Sequence, residues 1–579
     1  MSKNKIKLSV ILAITILMIF SLPLAAQELP NQLPRNETVY IAGELWGPVQ
    51  SFNPLGSASW PIISADMDTN LVYEHLFAFN MLSGELEPLL ATEYNWKDDL
   101  TLEVKLNEKA EWSDGEPFTA EDVVYTFNLG DRYNVEWSNM WQYVEDVYST
   151  DDYTIEIKMK EDNPNRYVVM DKLVYTWIVP EHIISEVEAN NNNNIGQIRQ
   201  NWFNENPVGT GPYKVAAYNS QRVVLRRDEN YWGKAEWGEP APKYLVHPIF
   251  KSNEAGNRAF KNAEIDISQQ FLPQIWETWE ENDQPIKTWY NEEPYHYPYR
   301  MPSLYINHQK KPMSDPAFRR ALAHVIDYEK IAQLAMTRYS ETMQPGLLLP
   351  TGPQSKYFVE EDVEEYGWKH NPEKAEEILK EAGYTKNSDG WYVTPEGEEI
   401  SLTATCPYGW TDWNVSLQIV AQSARGIGLN IKTNFPEYPN YLDDLQRGDF
   451  ELTMEQGPTP TPANPWRKFQ MVMDSSSLPE VGSTAYHNYG RYRNEKASEL
   501  ITNLPKMTDE KAVETYKELN KIFMQDIPII PLEYRPAYFY EVNETHWKGF
   551  PDAENPYAPP MSPFSQAAIK ILYNIEPVE

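Results

Sequence analysis

The chain has 579 residues, 41% of them apolar, which implies three or four units of ordinary domain size with real cores. A formal charge of −35 repels nucleic acid and anionic lipid, so neither is an expected partner. Cys406 is the only cysteine, which rules out an intramolecular disulfide, and a chain this long buries enough surface without one.

In chain order, the first predicted element is a targeting segment. Lys3, Lys5 and Lys7 precede an apolar run over 8–22, followed by Pro23 and the small pair Ala25-Ala26. That is the layout of a secretory signal peptide over 1–26, with cleavage expected after Ala26. The alternative is an uncleaved anchor, but the run falls short of the ~20 residues a membrane span needs. No cysteine follows the run, so no lipid anchor is expected. A soluble mature chain in the periplasm or outside the cell is the expectation.

Further along, residues 38–45 read as a strand, and 101–106 alternates through Leu102, Val104 and Leu106 as a half-buried strand does. Thr119 is a helix cap, with Glu121 and Asp122 in the first turn and Val123, Val124 and Phe127 on one face; Gly130 is the expected stop. Residues 153–159 alternate again, and the asparagines over 190–194 mark a loop. Short apolar runs at 245–250, 304–307 and 527–532 suit buried strands. Phe318, Leu322, Val325 and Ile326 have helical spacing within 314–336, where Asp327 caps a second helix. Asn371-Pro372-Glu373 opens another helix, with Ala375, Ile378, Leu379 and Ala382 on one face and Gly383 closing it. Four prolines within 458–465 predict a stiff loop. The mixture predicts α/β domains on mixed sheets.

Motifs for chemistry are mostly missing. There is no phosphate-binding loop, no Gly-x-Gly-x-x-Gly, and no histidine pair with the zinc-hydrolase spacing, so neither metal nor cofactor is expected. The nearest approach to a nucleophile elbow, Gly56-Ser57-Ala58-Ser59-Trp60, lacks its second glycine. Cys406 reads as a buried small hydrophobe. With 85 acids, counting alone leaves a glycosidase pair open, and an exported glycoside hydrolase stays as the weaker alternative. The aromatic surplus, 19 Trp and 37 Tyr, mostly means packing, but it also suits a site that stacks flat amphipathic ligands such as sugars.

Several dispersed segments carry a resemblance. They are Trp112-Ser113-Asp114-Gly115-Glu116-Pro117-Phe118-Thr119-Ala120-Glu121-Asp122-Val123, Asn206-Pro207-Val208-Gly209-Thr210-Gly211-Pro212-Tyr213, Asn230-Tyr231-Trp232-Gly233, the stretch 311–331, and the segments 371–384 and 527–532. Their ordered combination resembles the extracellular solute-binding proteins of the oligopeptide/dipeptide type, which serve ABC importers. Locally these residues do structural work. Asp114-Gly115 makes a tight turn, and Gly209 and Gly211 permit close backbone approach. The resemblance implies a bilobal periplasmic-binding-protein fold with two hinge crossings, placed here near 300 and 530. One lobe then comprises 27–72, 206–300 and 530–579, an additional domain 73–205, and the second lobe 301–529. It also implies a monomer that hands its ligand to an ABC permease.

Ligand class turns on two stretches. Peptide binders of this family resemble one another in a late loop whose Asp pairs with the ligand ammonium. Here the corresponding 456–466 has no acid, and an ammonium buried without a counter-charge is expensive. Leu45-Trp46-Gly47-Pro48 instead looks like the branch that binds gluco- and manno-oligosaccharides, and Trp410-Thr411-Asp412-Trp413 sets two indoles beside a carboxylate and a hydroxyl. A pyranose offers C–H faces to stack and hydroxyl edges to bond, which matches that chemistry. The expected ligand is therefore an oligosaccharide, cellobiose-like β-gluco-oligosaccharides foremost, with an oligopeptide as the alternative. The candidate ligand-binding residues are Trp46, Asn253, Tyr408, Trp410, Trp413, Gln456 and Trp466. Trp46 also reads as core, Trp413 as packing beneath Trp410, and Asn253 as either a strand end facing the cleft or a turn former.

Overall fold

Thr101–Leu106 is a strand as its alternation predicts, and Leu102, Val104 and Leu106 are buried beneath it. A computed structural model describes residues 33–45, 47–56, 70–458 and 461–579. Thr101–Leu106 belongs to a four-stranded antiparallel sheet ordered Ala91–Trp96, Thr101–Leu106, Thr154–Met159, Val144–Asp151. A seven-stranded mixed sheet centres on Thr38–Ala42, which runs parallel to both Tyr244–Pro248 and Ile267–Ser268. Its remaining strands come from 213–227, 286–288 and 541–543. A five-stranded mixed sheet orders Ile431–Asn434, Leu402–Thr405, Leu452–Glu455, Ser303–Ile306 and Ile529–Pro531. Each of these strands is short, and helices supply much of the packing around them. Among the described residues no helix is long and apolar enough to cross a membrane.

The capped helices form where the side chains dictate. Thr119 and Asp122 make a reciprocal capping box at the start of Ala120–Arg132. That helix does not stop at Gly130, as the sequence predicts, but runs on to Arg132. The glycine is there for space: a Cβ on it would lie 2.6 Å from the Trp137 ring. Asn371 Oδ1 accepts from Lys374 N at 3.0 Å to open Pro372–Glu381, and Asp327 likewise caps the turn that follows Pro316–Val325. Gly209 and Gly211 allow two backbones to touch. A Cβ on Gly209 would lie 1.8 Å from the Val72 carbonyl oxygen, and one on Gly211 2.3 Å from that of Leu71. Gly211 N donates to Val72 O at 2.9 Å across this contact.

Between the seven- and five-stranded sheets the chain crosses twice, and the crossings pair with each other. Pro298–Arg300 runs antiparallel to Arg535–Pro536, with Arg300 opposite Arg535 and an irregular register between the pairs. Arg535 is neutralised: its Nε donates to Asp412 Oδ2 at 3.0 Å, and its guanidinium lies 4.5 Å from the Phe539 ring centre. Asp412 sits in the first turn of Thr411–Ile427. Glu533, just before the second crossing, is buried beside this pair and accepts from Ser416 Oγ at 2.5 Å. Burial, and then the Asp412 charge, hold the Glu533 carboxyl well above the usual carboxylate range. The second crossing is thereby tied to one helix that packs on the five-stranded sheet.

Two outcomes follow. Gly209→Ala forces the contact with Val72 apart and destabilises the protein by about 1–3 kcal/mol in denaturant melts, with no loss expected from Gly426→Ala, which sits inside the helix Thr411–Ile427 with nothing near a Cβ. Glu533 binds its proton more readily folded than unfolded, so its contribution favours folding in mild acid and is lost as pH rises through the neutral range. Glu533→Gln keeps an acceptor for Ser416 but cannot ionise. Its unfolding free energy relative to wild type should therefore climb from about pH 5 to about pH 8, by no more than about 1.4 kcal/mol per pH unit, in denaturant melts. A constant offset across that range would show that Glu533 does not titrate.

Candidate functional site

A cavity of about 640 Å³ lies between the helix Arg166–Tyr175 and the elements around the five-stranded sheet, with Arg300 of the first crossing in its lining. Its aromatic part is built by a turn. Gly409, at φ +82°, reverses the chain after Leu402–Thr405 and leaves Trp410 at the cap of Thr411–Ile427. Trp413, 1% exposed, meets Trp410 edge to face with ring centres 4.6 Å apart. Tyr438, at the start of Tyr438–Arg447, lies nearly parallel to Trp410 at 5.8 Å. One indole is thus gripped from beneath and flanked by a phenol, a rigid surface for stacking.

The polar part comes from four separate segments. Leu452–Glu455 delivers Glu455 and Gln456 at its end, and Glu455 Oε2 accepts from Gly457 N at 2.5 Å. Burial pushes the Glu455 carboxyl up to about 7, against the pull of that N–H and of the Arg300 charge. Asp171 accepts from Ala463 N at 2.8 Å, and burial raises it to about 6. This bond ties the helix Arg166–Tyr175 to the proline loop across the cavity. Lys172, Arg300 and Arg467 set three cations against Glu136, Asp171 and Glu455, so the lining is formally neutral in a chain of net charge −35. No group of His, Cys, Asp and Glu that could hold a metal ion occurs among the described residues.

Of the residues singled out from sequence, the cavity brings together Trp410, Gln456 and Trp466, with Trp413 directly behind. Trp466 is already committed to packing: it is 5% exposed, stacks on Tyr167 at 5.7 Å, and donates Nε1–H to Ile501 O at 3.1 Å. Tyr408 is 69% exposed and outside the lining. Asn253 is also outside it. Ser252 caps a helix there, Asn253–Lys261, so the expected strand end is a helix start. Trp46 lies outside the described residues, as does the signal segment. Sequence reasoning missed Tyr438, Tyr489, Asp171, Lys172 and Arg300. Tyr438 stands between Glu437 and Pro439 with no pattern that marks it, Tyr489 lies in a turn, and the others lie more than a hundred residues from Trp410.

Comparison with known proteins places this geometry. The model for bacterial extracellular solute-binding proteins, family 5 Middle, matches residues 85–477. The oligopeptide-binding protein AppA of Bacillus subtilis is 24% identical over 447 residues, covering 75% of this chain and 75% of that protein. The periplasmic oligopeptide-binding protein OppA of Escherichia coli is 26% identical over 520 residues, 84% of this chain and 85% of that one. A periplasmic oligopeptide-binding protein of an oligopeptide ABC transporter from Thermotoga maritima is 33% identical in sequence. Its crystal structure superposes with a TM-score of 0.86 over 94% of this chain and 100% of that one. The same Thermotoga protein with mannohexaose bound gives a TM-score of 0.82 over 94% and 99%. The fold is the bilobal one of periplasmic binding proteins, and the chain belongs to the bacterial extracellular solute-binding proteins of family 5.

Proposed function

We propose that this protein is the exported receptor of an ABC importer, and that it captures a neutral oligosaccharide by closing its two lobes over the cavity beside Trp410. The lobes divide at the paired crossings: 27–72, 206–300 and 530–579 on one side with 73–205 as an added domain, and 301–529 on the other. The observation that carries the ligand class is the Trp410–Trp413–Tyr438 platform, set at a cavity whose polar lining offers amide, carboxyl and cationic groups. A pyranose stacks its C–H face on such a platform and offers hydroxyls to the surrounding carboxylates, amides and cations. The mannohexaose held by the Thermotoga relative supports this reading. Cello- and manno-oligosaccharides are the first ligands to test.

A peptide is the second reading, favoured by the names of the Bacillus and Escherichia relatives. An ammonium needs a carboxylate partner. Glu455 and Asp171 are present in the lining, but burial lifts both toward neutrality, at about 7 and about 6, which weakens them in that role.

Trp410→Ala removes the platform while Trp413 keeps the core beneath it filled. Calorimetric titration with cellobiose and mannobiose should show an affinity loss of about 2 kcal/mol, roughly thirtyfold. The sugar should be recovered unchanged after incubation. Tripeptide binding to wild type with no response to any sugar would overturn the ligand class.

A further inference from the structure

Arg300 is a buried guanidinium, 5% exposed, with an unpaired Nε and no carboxylate ion pair among the described residues. Directly across the hinge ribbon stands Arg535, a like charge, and like charges at facing positions repel. Arg535 is satisfied by Asp412, so that carboxylate is already taken. Tyr538, Glu455 and Tyr175 draw on its charge electrostatically, but Glu455 Oε2 already serves Gly457 N. A protein seldom leaves a guanidinium buried in this way, because an arginine stays charged at any ordinary pH and its five N–H donors each need an acceptor.

The guanidinium borders the same cavity as Trp410, Tyr438 and Gln456. We propose that Arg300 is the polar anchor of the ligand, its planar fork donating to two adjacent hydroxyls of a sugar ring stacked on the Trp410 platform. This deepens the oligosaccharide reading and rests on it. A ligand carboxylate fits less well, since it would stand beside Glu455 and Asp171, which share the lining. Adjacent hydroxyls provide two acceptors at the spacing the fork presents, without adding charge.

The position on the ribbon gives the contact a second consequence. When the lobes part, water reaches Arg300. When they close on an empty cavity, water leaves and nothing replaces it, whereas closure on sugar supplies the missing acceptors. Arg300 therefore penalises closure without ligand, so that the closed form reports a loaded receptor.

Arg300→Met keeps an apolar stem of similar reach and removes the unpaired charge. With cellobiose and mannobiose as probes, calorimetry should show an affinity about tenfold to a hundredfold below wild type. Arg300→Lys, which keeps the charge but not the fork, should recover only part of that loss. The melting temperature of the ligand-free Arg300→Met protein should equal or exceed that of wild type, because the substitution relieves a buried charge. Unchanged sugar affinity in Arg300→Met would overturn the anchor while leaving the oligosaccharide reading intact. A ligand-free melting temperature well below wild type would instead mark Arg300 as structural. If wild type binds neither sugar, the oligosaccharide reading fails and the anchor falls with it.

Discussion

Everything in this molecule hangs on a ribbon of two short strands, Pro298–Arg300 against Arg535–Pro536, where two arginines face each other. Prolines on both strands remove backbone donors, so few ladder hydrogen bonds resist bending. Charge makes the two strands unequal. Arg535 is locked by Asp412 and by the Phe539 ring, while Arg300 projects toward the cavity with its Nε unpaired. One crossing is anchored, and the other is left to interact with whatever enters.

The anchored crossing also positions the aromatic platform. Asp412 lies two residues after Trp410, in the first turn of the same helix, and its carboxylate is the group that holds Arg535. Glu533 and Ser416 extend that contact one turn further along. The indole that faces the cavity is thus referenced to the second crossing through the Arg535–Asp412 ion pair, and its lower edge rests on the buried Trp413. Rigid placement matters for stacking because a pyranose face is small and tolerates little tilt. The opposite wall is held more simply, by Asp171 accepting from the backbone of Ala463 in the proline loop.

Local signals were easy to read in the chain and long-range ones were not. Thr119 with Asp122, Asn371 with Pro372, and the alternation through Leu102, Val104 and Leu106 act over a few residues, and the structure follows them. Gly130 misled because a glycine inside a helix looks like a stop until the Trp137 ring is seen packed against it. The apolar run before Asn253 does form a strand, Tyr244–Pro248, but Asn253 itself begins a helix capped by Ser252 instead of ending that strand. Within the site, Trp410 stood out through its neighbours Gly409 and Trp413. Arg300, Asp171 and Tyr438 gave no such signal, since each becomes informative only when the ribbon, the helix Arg166–Tyr175 and the proline loop converge. Unsatisfied hydrogen-bonding capacity, the feature that marks Arg300, is invisible in a sequence.

Closure about the ribbon is the central claim, and small-angle scattering on the mature protein tests it most directly. With saturating cellobiose or mannobiose, the radius of gyration should fall as the lobes come together over the ligand. Superimposable curves with and without a sugar that calorimetry shows to be bound would contradict the account.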